Sequence, residues 1–106
     1  MENEDVVEAL REFVAQRDWS QFHSPENFAK SISIEAAELL ECFQWNNEFD
    51  RESVIDELAD VLTYCLMFAD HLGVDAGDIV MKKLAETGRK YPVKRARGRS
   101  EKYDRL

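Results

Sequence analysis

Proline and glycine are scarce, with two and four residues among 106. So few chain breakers, against many Ala, Leu, Glu and Val, point to an all-helical build. Long apolar runs are missing as well. Val61 to Ala69 is uncharged for nine residues, about half of a membrane span, and acidic residues flank it. The opening Met1-Glu-Asn-Glu-Asp has neither the positive start nor the apolar core of a signal peptide, so a soluble cytoplasmic protein is expected. Cys42 and Cys65 form no CxxC or zinc spacing, and two reduced core thiols are the expected reading. A net charge of −8 argues against a general nucleic-acid binder. A chain of 106 residues is long enough for a single core and short of two.

Positive charge is also missing where the sequence most calls for it. Between Ser31 and Met81 the only basic residue is Arg51, against twelve acidic ones. Ten basic and three acidic residues fall instead between Lys82 and Leu106. Within the acidic stretch stand two related pairs, Glu35-Ala-Ala-Glu38 and Glu57-Leu-Ala-Asp60, in otherwise apolar helical sequence. Positions three apart lie about 60° apart on a helix, so each pair puts two carboxylates on one stripe. None of the four has a Lys or Arg three or four residues away. Like charges so placed repel by a few tenths of a kcal/mol per pair on an exposed helix, and by much more once desolvated. A cation from outside the helix is therefore expected. Hard divalent ions prefer oxygen ligands, and Mg²⁺ is commonly held by a few carboxylates while it takes substrate phosphate oxygens. Mg²⁺ is the leading candidate.

Taken in order, the chain predicts four helices. Asn3 is a candidate cap for the first, with Glu4 and Asp5 in its first turn and an amphipathic stripe of Val6, Leu10, Phe13, Val14 and Arg17. This helix should end between Gln16 and Asp18. Arg17 to Pro25 then packs two aromatics and a His into a loop. Ser24-Pro25 reads as N-cap and first residue of a second helix running to about Trp45. Asn46 to Asp50 is the connection, Asp50 a candidate cap for a third helix from about Arg51 to Leu72, and Gly73 its left-handed end. Asp75 caps a fourth helix from about Ala76 to Thr87, closed by Gly88 and stopped by Pro92. The expected organisation is a helical domain over residues 1–92 and a basic, partly ordered tail over 93–106. The second and third helices are apolar nearly all round, which a single chain of this length cannot cover. A four-helix-type bundle assembled as a homo-oligomer follows.

The pieces Arg-Asp-Trp-Ser-Gln-Phe-His-Ser-Pro-Glu-Asn (17–27), Glu-Ala-Ala-Glu-Leu-Leu-Glu-Cys-Phe-Gln-Trp (35–45), Glu-Leu-Ala-Asp-Val-Leu-Thr-Tyr (57–64) and Arg-Lys-Tyr-Pro (89–92) together resemble the MazG-like branch of the all-α NTP pyrophosphohydrolases, above all its dCTP pyrophosphatase group. The resemblance implies that Glu35, Glu38, Glu57 and Asp60 ligate Mg²⁺. It implies that Trp19, Ser20, Gln21, Phe22 and His23, with Trp45 and Tyr64, form the nucleotide pocket. The implied reaction cleaves a nucleoside triphosphate, dCTP or a modified pyrimidine relative, between its α and β phosphates, and the implied assembly is a dimer or tetramer. Members of the group usually bring a Lys and, four residues on, an Asn toward the phosphates; Lys83 fits the first, whereas Thr87 stands at the second.

Several of these residues carry a second reading. Glu38 and Glu41 are candidates for accepting a proton from water, and Glu41 equally suits a solvated helix face. Lys83 also suits simple compensation of a helix dipole, and His23 a loop cap or a core hydrogen bond. Trp45 and Tyr64 share helix faces with the acidic pairs, which favours base stacking over a purely structural role. A non-catalytic helical interaction or regulatory module is the competing function, and it gives no reason to keep four mutually repelling carboxylates. A di-iron bundle needs Glu-x-x-His pairs, and neither His23, preceded by Ser20, nor His71, preceded by Phe68, supplies one.

Overall fold

A computed structural model of the chain describes residues 2–45 and 48–106, all of them helical or irregular. It divides into two compact units, Met1–Val74 and Asp75–Leu106. In the first, α1 spans Asn3–Gln16, a 3-10 turn spans Trp19–Phe22, α2 spans Pro25–Glu41 and α3 spans Arg51–His71. In the second, α4 spans Ala76–Lys90, α5 is a single turn at Val93–Ala96, and a last 3-10 turn covers Tyr103–Arg105. No helix of the described residues is long and apolar enough to cross a membrane.

Local chemistry explains most of the boundaries. The Ser24 hydroxyl accepts from the Asn27 N–H at 3.1 Å, with Pro25 at the first helical position, so one orphan donor is satisfied where proline has none to lose. The Asp75 carboxylate does the same for the Asp78 N–H at 2.9 Å. Gly73 ends α3 with a φ of 74°, while the Val74 N–H reaches back to the Ala69 carbonyl at 3.0 Å. That six-to-one bond across a left-handed residue ends many helices.

Four boundaries differ from expectation. Asn3 lies inside α1, and Glu2 holds the cap position, where its carbonyl accepts from both Asp5 and Val6 N–H groups at 3.1 and 3.2 Å. Asp50 stands at the start of α3, but its carboxylate binds the Ser53 hydroxyl at 2.7 Å and caps no backbone donor. The second helix stops at Glu41, short of Trp45, and Asn46 and Asn47 of the expected connection lie outside the described residues. The fourth helix continues through Gly88 to Lys90. Gly88 is not among the residues with positive φ, so α4 passes it as an ordinary helical position. Pro92 makes the stop: it disfavours helical backbone at Tyr91, which sits at φ −122°, ψ 67°.

Within the first unit, α2 and α3 pack side by side and α1 lies against α3. Phe28 stacks on Phe68 with ring centroids 5.4 Å apart, and farther along α2 Glu35 meets Glu57 and Asp60. As the numbers rise on one helix they fall on the other, so the two run antiparallel. Phe28 is the anchor, 2 % exposed, with the His23 and His71 rings at 4.6 and 5.4 Å. Elsewhere the apolar surface is left open. Ile34, Leu40, Ile55 and Leu62 are exposed, Leu40 by 71 % and Trp45 by 86 %.

In the second unit the segment after Pro92 folds back on α4. The Tyr91 hydroxyl accepts from the Tyr103 N–H at 3.1 Å, and the Lys90 ammonium lies 4.9 Å from the Tyr103 ring centre. Arg95 and Arg99 donate to the carbonyls of Leu106 and Arg105, both at 3.4 Å.

The two glycines make opposite predictions. Alanine at Gly73, held at φ 74°, should cost about 1–2 kcal/mol. Alanine at Gly88, whose added Cβ meets nothing within 4 Å, should gain about 0.5–1 kcal/mol by removing backbone freedom from the unfolded chain. Urea unfolding midpoints are expected to move in opposite directions; destabilisation by both would contradict a helical interior at Gly88.

Candidate active site

The antiparallel pairing carries the acidic motif of α2 onto that of α3. Glu35, Glu57 and Asp60 each offer a carboxylate oxygen, and the three oxygens lie within 4.8 Å of one another. Glu35 and Glu57 are half-buried and Asp60 is exposed. Each of the two glutamates turns one oxygen, Oε2, into the interior with no hydrogen-bond partner. Among the described residues the ion pairs are Arg11–Asp70, Lys83–Glu86 and Arg99–Glu101, and none reaches this cluster.

Electrostatics registers the crowding. The Glu35 carboxyl is pushed up to about 7, first by hydrogen bonding with Glu38, then by burial and by the charges of Glu38, Asp60 and Glu57. Burial is the first cause that raises Glu57, followed by the charges of Glu38 and Asp60. Glu38 therefore adjoins Glu35 although it stands outside the tightest trio. Glu41, at the end of α2, is exposed. Buried carboxylate oxygens without donors are costly, and hard divalent cations take such oxygens as ligands. The donor set fits that chemistry, with Glu35, Glu57 and Asp60 as its convergent members.

An aromatic cavity of about 350 Å³ opens in the same unit, lined by Trp19, Phe22, His23, Asn27, Phe28, Lys30, Ser31 and Tyr64. Two links tie it to the cluster: Ser31 is one helical turn before Glu35, and Tyr64 one turn after Asp60. The wall is shaped by the turn after α1. Asp18 enters it in the left-handed region at φ 51°, and the Asn27 amide donates to the Phe22 carbonyl at 2.8 Å. The Trp19 ring meets Phe13 edge-on at 5.7 Å. Burial first, then the neighbouring His71, lowers the pKa of His23, which keeps its ring neutral at physiological pH.

The pocket residues foreseen from sequence do not all gather here. Trp19, Phe22, His23 and Tyr64 line the cavity. Ser20 lines an adjoining one of about 240 Å³ between α1 and α3, which His23 also borders. The Gln21 amide ties down the turn, donating to the Asp18 carbonyl and carboxylate at 2.9 and 3.2 Å. Trp45 projects away from the protein. In the second unit Lys83 pairs with Glu86 at 3.3 Å, and the Thr87 carbonyl accepts from the Tyr91 N–H. Sequence reasoning missed Asn27, Phe28, Lys30 and Ser31. The available signal was helical spacing: Ser31 shares a stripe with Glu35, so residues a turn below the acidic pair border the same opening.

Fold and site together define an all-helical protein whose centre is a carboxylate cluster beside an aromatic cavity. A model of the MazG-like family matches residues 30–106, and the chain belongs to that family. It is 36 % identical over 113 aligned positions to dCTP pyrophosphatase 1 of Homo sapiens and 35 % identical to that of Mus musculus. Each alignment covers 97 % of this chain and 66 % of the relative, so the chain spans just under two thirds of their length. The structure also matches a crystal structure of a pyrophosphatase from Archaeoglobus fulgidus, with a TM-score of 0.76 and 42 % identity over 84 % of this chain and 91 % of that one.

The raised Glu35 pKa makes stability depend on pH. Between the ordinary 4.5 and about 7, the folded chain keeps a proton that the unfolded chain has released, so stability falls as pH rises through that window. The melting temperature of metal-free protein is expected to drop between about pH 5 and about pH 8, and Glu35→Gln to flatten the slope. Added Mg²⁺ should restore more at the higher pH, because its ligands must be deprotonated. A melting curve insensitive to pH and to divalent ions would contradict the crowded cluster.

Proposed function

We propose that this protein is a Mg²⁺-dependent nucleoside triphosphate pyrophosphohydrolase that cleaves dCTP-like or modified pyrimidine deoxynucleotides between the α and β phosphates. What carries the reading is the pair of buried, donorless oxygens of Glu35 and Glu57 beside Asp60, within a turn of a cavity sized for a nucleoside. The names of the relatives, dCTP pyrophosphatase and pyrophosphatase, point to the same chemistry.

The aromatic wall supplies the base site. Stacking on Trp19, Phe22 or Tyr64 is worth about 1–3 kcal/mol per base, enough to prefer a nucleotide over bare triphosphate. Asn27 holds the Phe22 backbone and Gln21 holds Asp18, so the wall is fixed before substrate arrives. Beyond it, the carboxylates of Glu35, Glu38, Glu57 and Asp60 would hold Mg²⁺. When bound, the ion neutralises phosphate charge and acidifies a water. Water attacks the α phosphorus, the bond to the bridging oxygen breaks, and monophosphate and pyrophosphate leave. In this reading Glu38, whose charge acts on Glu35, takes the proton from that water, with Glu41 the second candidate one turn on.

Open apolar faces on α2 and α3 and the bare Trp45 ring support a homo-oligomer, dimer or tetramer, since such a surface needs a partner. Sedimentation equilibrium should return at least twice the 12.3 kDa chain mass; a monomer at micromolar concentration would remove this part of the proposal.

Turnover is the main test. Purified protein with Mg²⁺ is expected to release pyrophosphate from dCTP, to stop in chelator, and to lose at least about a hundredfold in kcat as Glu38→Gln while its helical circular dichroism stays near wild type. Undiminished hydrolysis in chelator would eliminate the metal chemistry, and inactivity across all common triphosphates would favour an interaction module.

A further inference from the structure

We infer that Lys30 binds the α phosphate of the nucleotide, and so sets affinity for nucleotides over nucleosides at the junction between the aromatic cavity and the carboxylate cluster. The inference rests on the nucleotide reading above and names a residue for a task that reading leaves unfilled.

The task is electrostatic. Residues 1–74 hold seventeen acidic and only four basic residues. A triphosphate entering this unit meets repulsion that one divalent ion does not cancel. Of the four cations, Arg11 is committed to Asp70, with its Nε 2.9 Å from the carboxylate. Arg17 lies over the Phe13 ring at 3.7 Å and donates to the Phe13 carbonyl at 3.0 Å. Arg51 begins α3 and is not among the residues that line the cavity. Lys30 is different: it lines the aromatic cavity together with Trp19, Phe22 and Tyr64, and no carboxylate among the described residues lies within 4 Å of it. It also borders a shallow hollow with Ala29, Ser33 and Ile34 and is exposed to solvent.

Position along α2 selects the phosphate. A base seated among Trp19, Phe22 and Tyr64, with its phosphate chain directed to Glu35, Glu57 and Asp60, has its sugar and first phosphate between the two. Ser31, one turn before Glu35, occupies that interval, and Lys30 is its neighbour on the cavity side. A lysine there acts as a mobile point charge on a long stem, suited to a phosphate oxygen and indifferent to the base. The terminal phosphates fall nearer the carboxylates, beyond this residue.

Calorimetric binding of dCMP, deoxycytidine and inorganic pyrophosphate to wild type, Lys30→Met and Lys30→Arg in Mg²⁺ tests the assignment. Lys30→Met is expected to weaken dCMP by about tenfold, the effect of one charged hydrogen bond, with deoxycytidine and pyrophosphate unchanged. Lys30→Arg should keep most of the dCMP affinity. Unchanged dCMP binding, equal losses for dCMP and deoxycytidine, or a loss confined to pyrophosphate would each overturn it. Wild-type pyrophosphate release from dCTP, measured on the same preparation, separates the two proposals. Without release the enzymatic reading falls and takes this inference with it; with release, the Lys30→Met binding data decide Lys30 alone.

Discussion

Repulsion among carboxylates is the constraint from which this structure is best understood. Glu35, Glu57 and Asp60 converge within 4.8 Å, and the chain gathers them by packing two helices whose apolar contacts outweigh the cost. Phe28 against Phe68 sits on the same α2–α3 interface, at the end away from the loop. The hydrophobic anchor and the charged cluster thus share one rigid hairpin. Fully burying a Phe side chain contributes about 1.5–3 kcal/mol, the scale needed to hold a few like charges together until a cation arrives. The raised Glu35 and Glu57 pKa values are the other side of that balance, since protonation relieves the same strain that a metal would.

The distribution of charge carries the logic further. The unit that holds the cluster is overwhelmingly acidic, while residues 75–106 carry ten basic and five acidic residues. A polyanionic ligand would be repelled by the first unit except where a cation offsets its charge. On the function proposed above, binding and selectivity would come from neighbouring features: a cation held by the carboxylates would accept the phosphates, and the aromatic wall beside it would favour ligands bearing a base.

Where local chemistry decides, the sequence was a good guide. Ser24-Pro25, Gly73 and Asp75 mark helix ends through bonds within one turn, and no distant contact alters them. Asn3 and Gly88 misled because a residue with suitable chemistry is not obliged to use it. Glu2 capped through its carbonyl, and Gly88 kept helical φ until Pro92 forced the stop. The pairing of the two acidic motifs was legible because both interrupt apolar helix without counter-charges. The cavity was only half legible. Trp19, Phe22, His23 and Tyr64 carried aromatic character into suspicious places, but Asn27 and Lys30 look ordinary on α2, and only the packing of the turn over that helix makes them part of a wall. Gln21 erred in the opposite direction, since its polar side chain serves the turn.

The exposed apolar faces connect stability to function. Val14, Phe28 and Ala69 are the deeply buried apolar residues among those described, a thin core for a unit that must also hold repelling charges. If the homo-oligomer proposed above forms, apolar area covered by a second copy would contribute about 25 cal/mol per Å² on the same two helices that bear the carboxylates. Coupling would then run both ways: crowding the acids weakens the hairpin, and covering its outer face would tighten it. On that proposal, loading the cluster with a cation would favour assembly, and assembly would sharpen the cluster for the cation, because each event would stabilise the same pairing of α2 with α3.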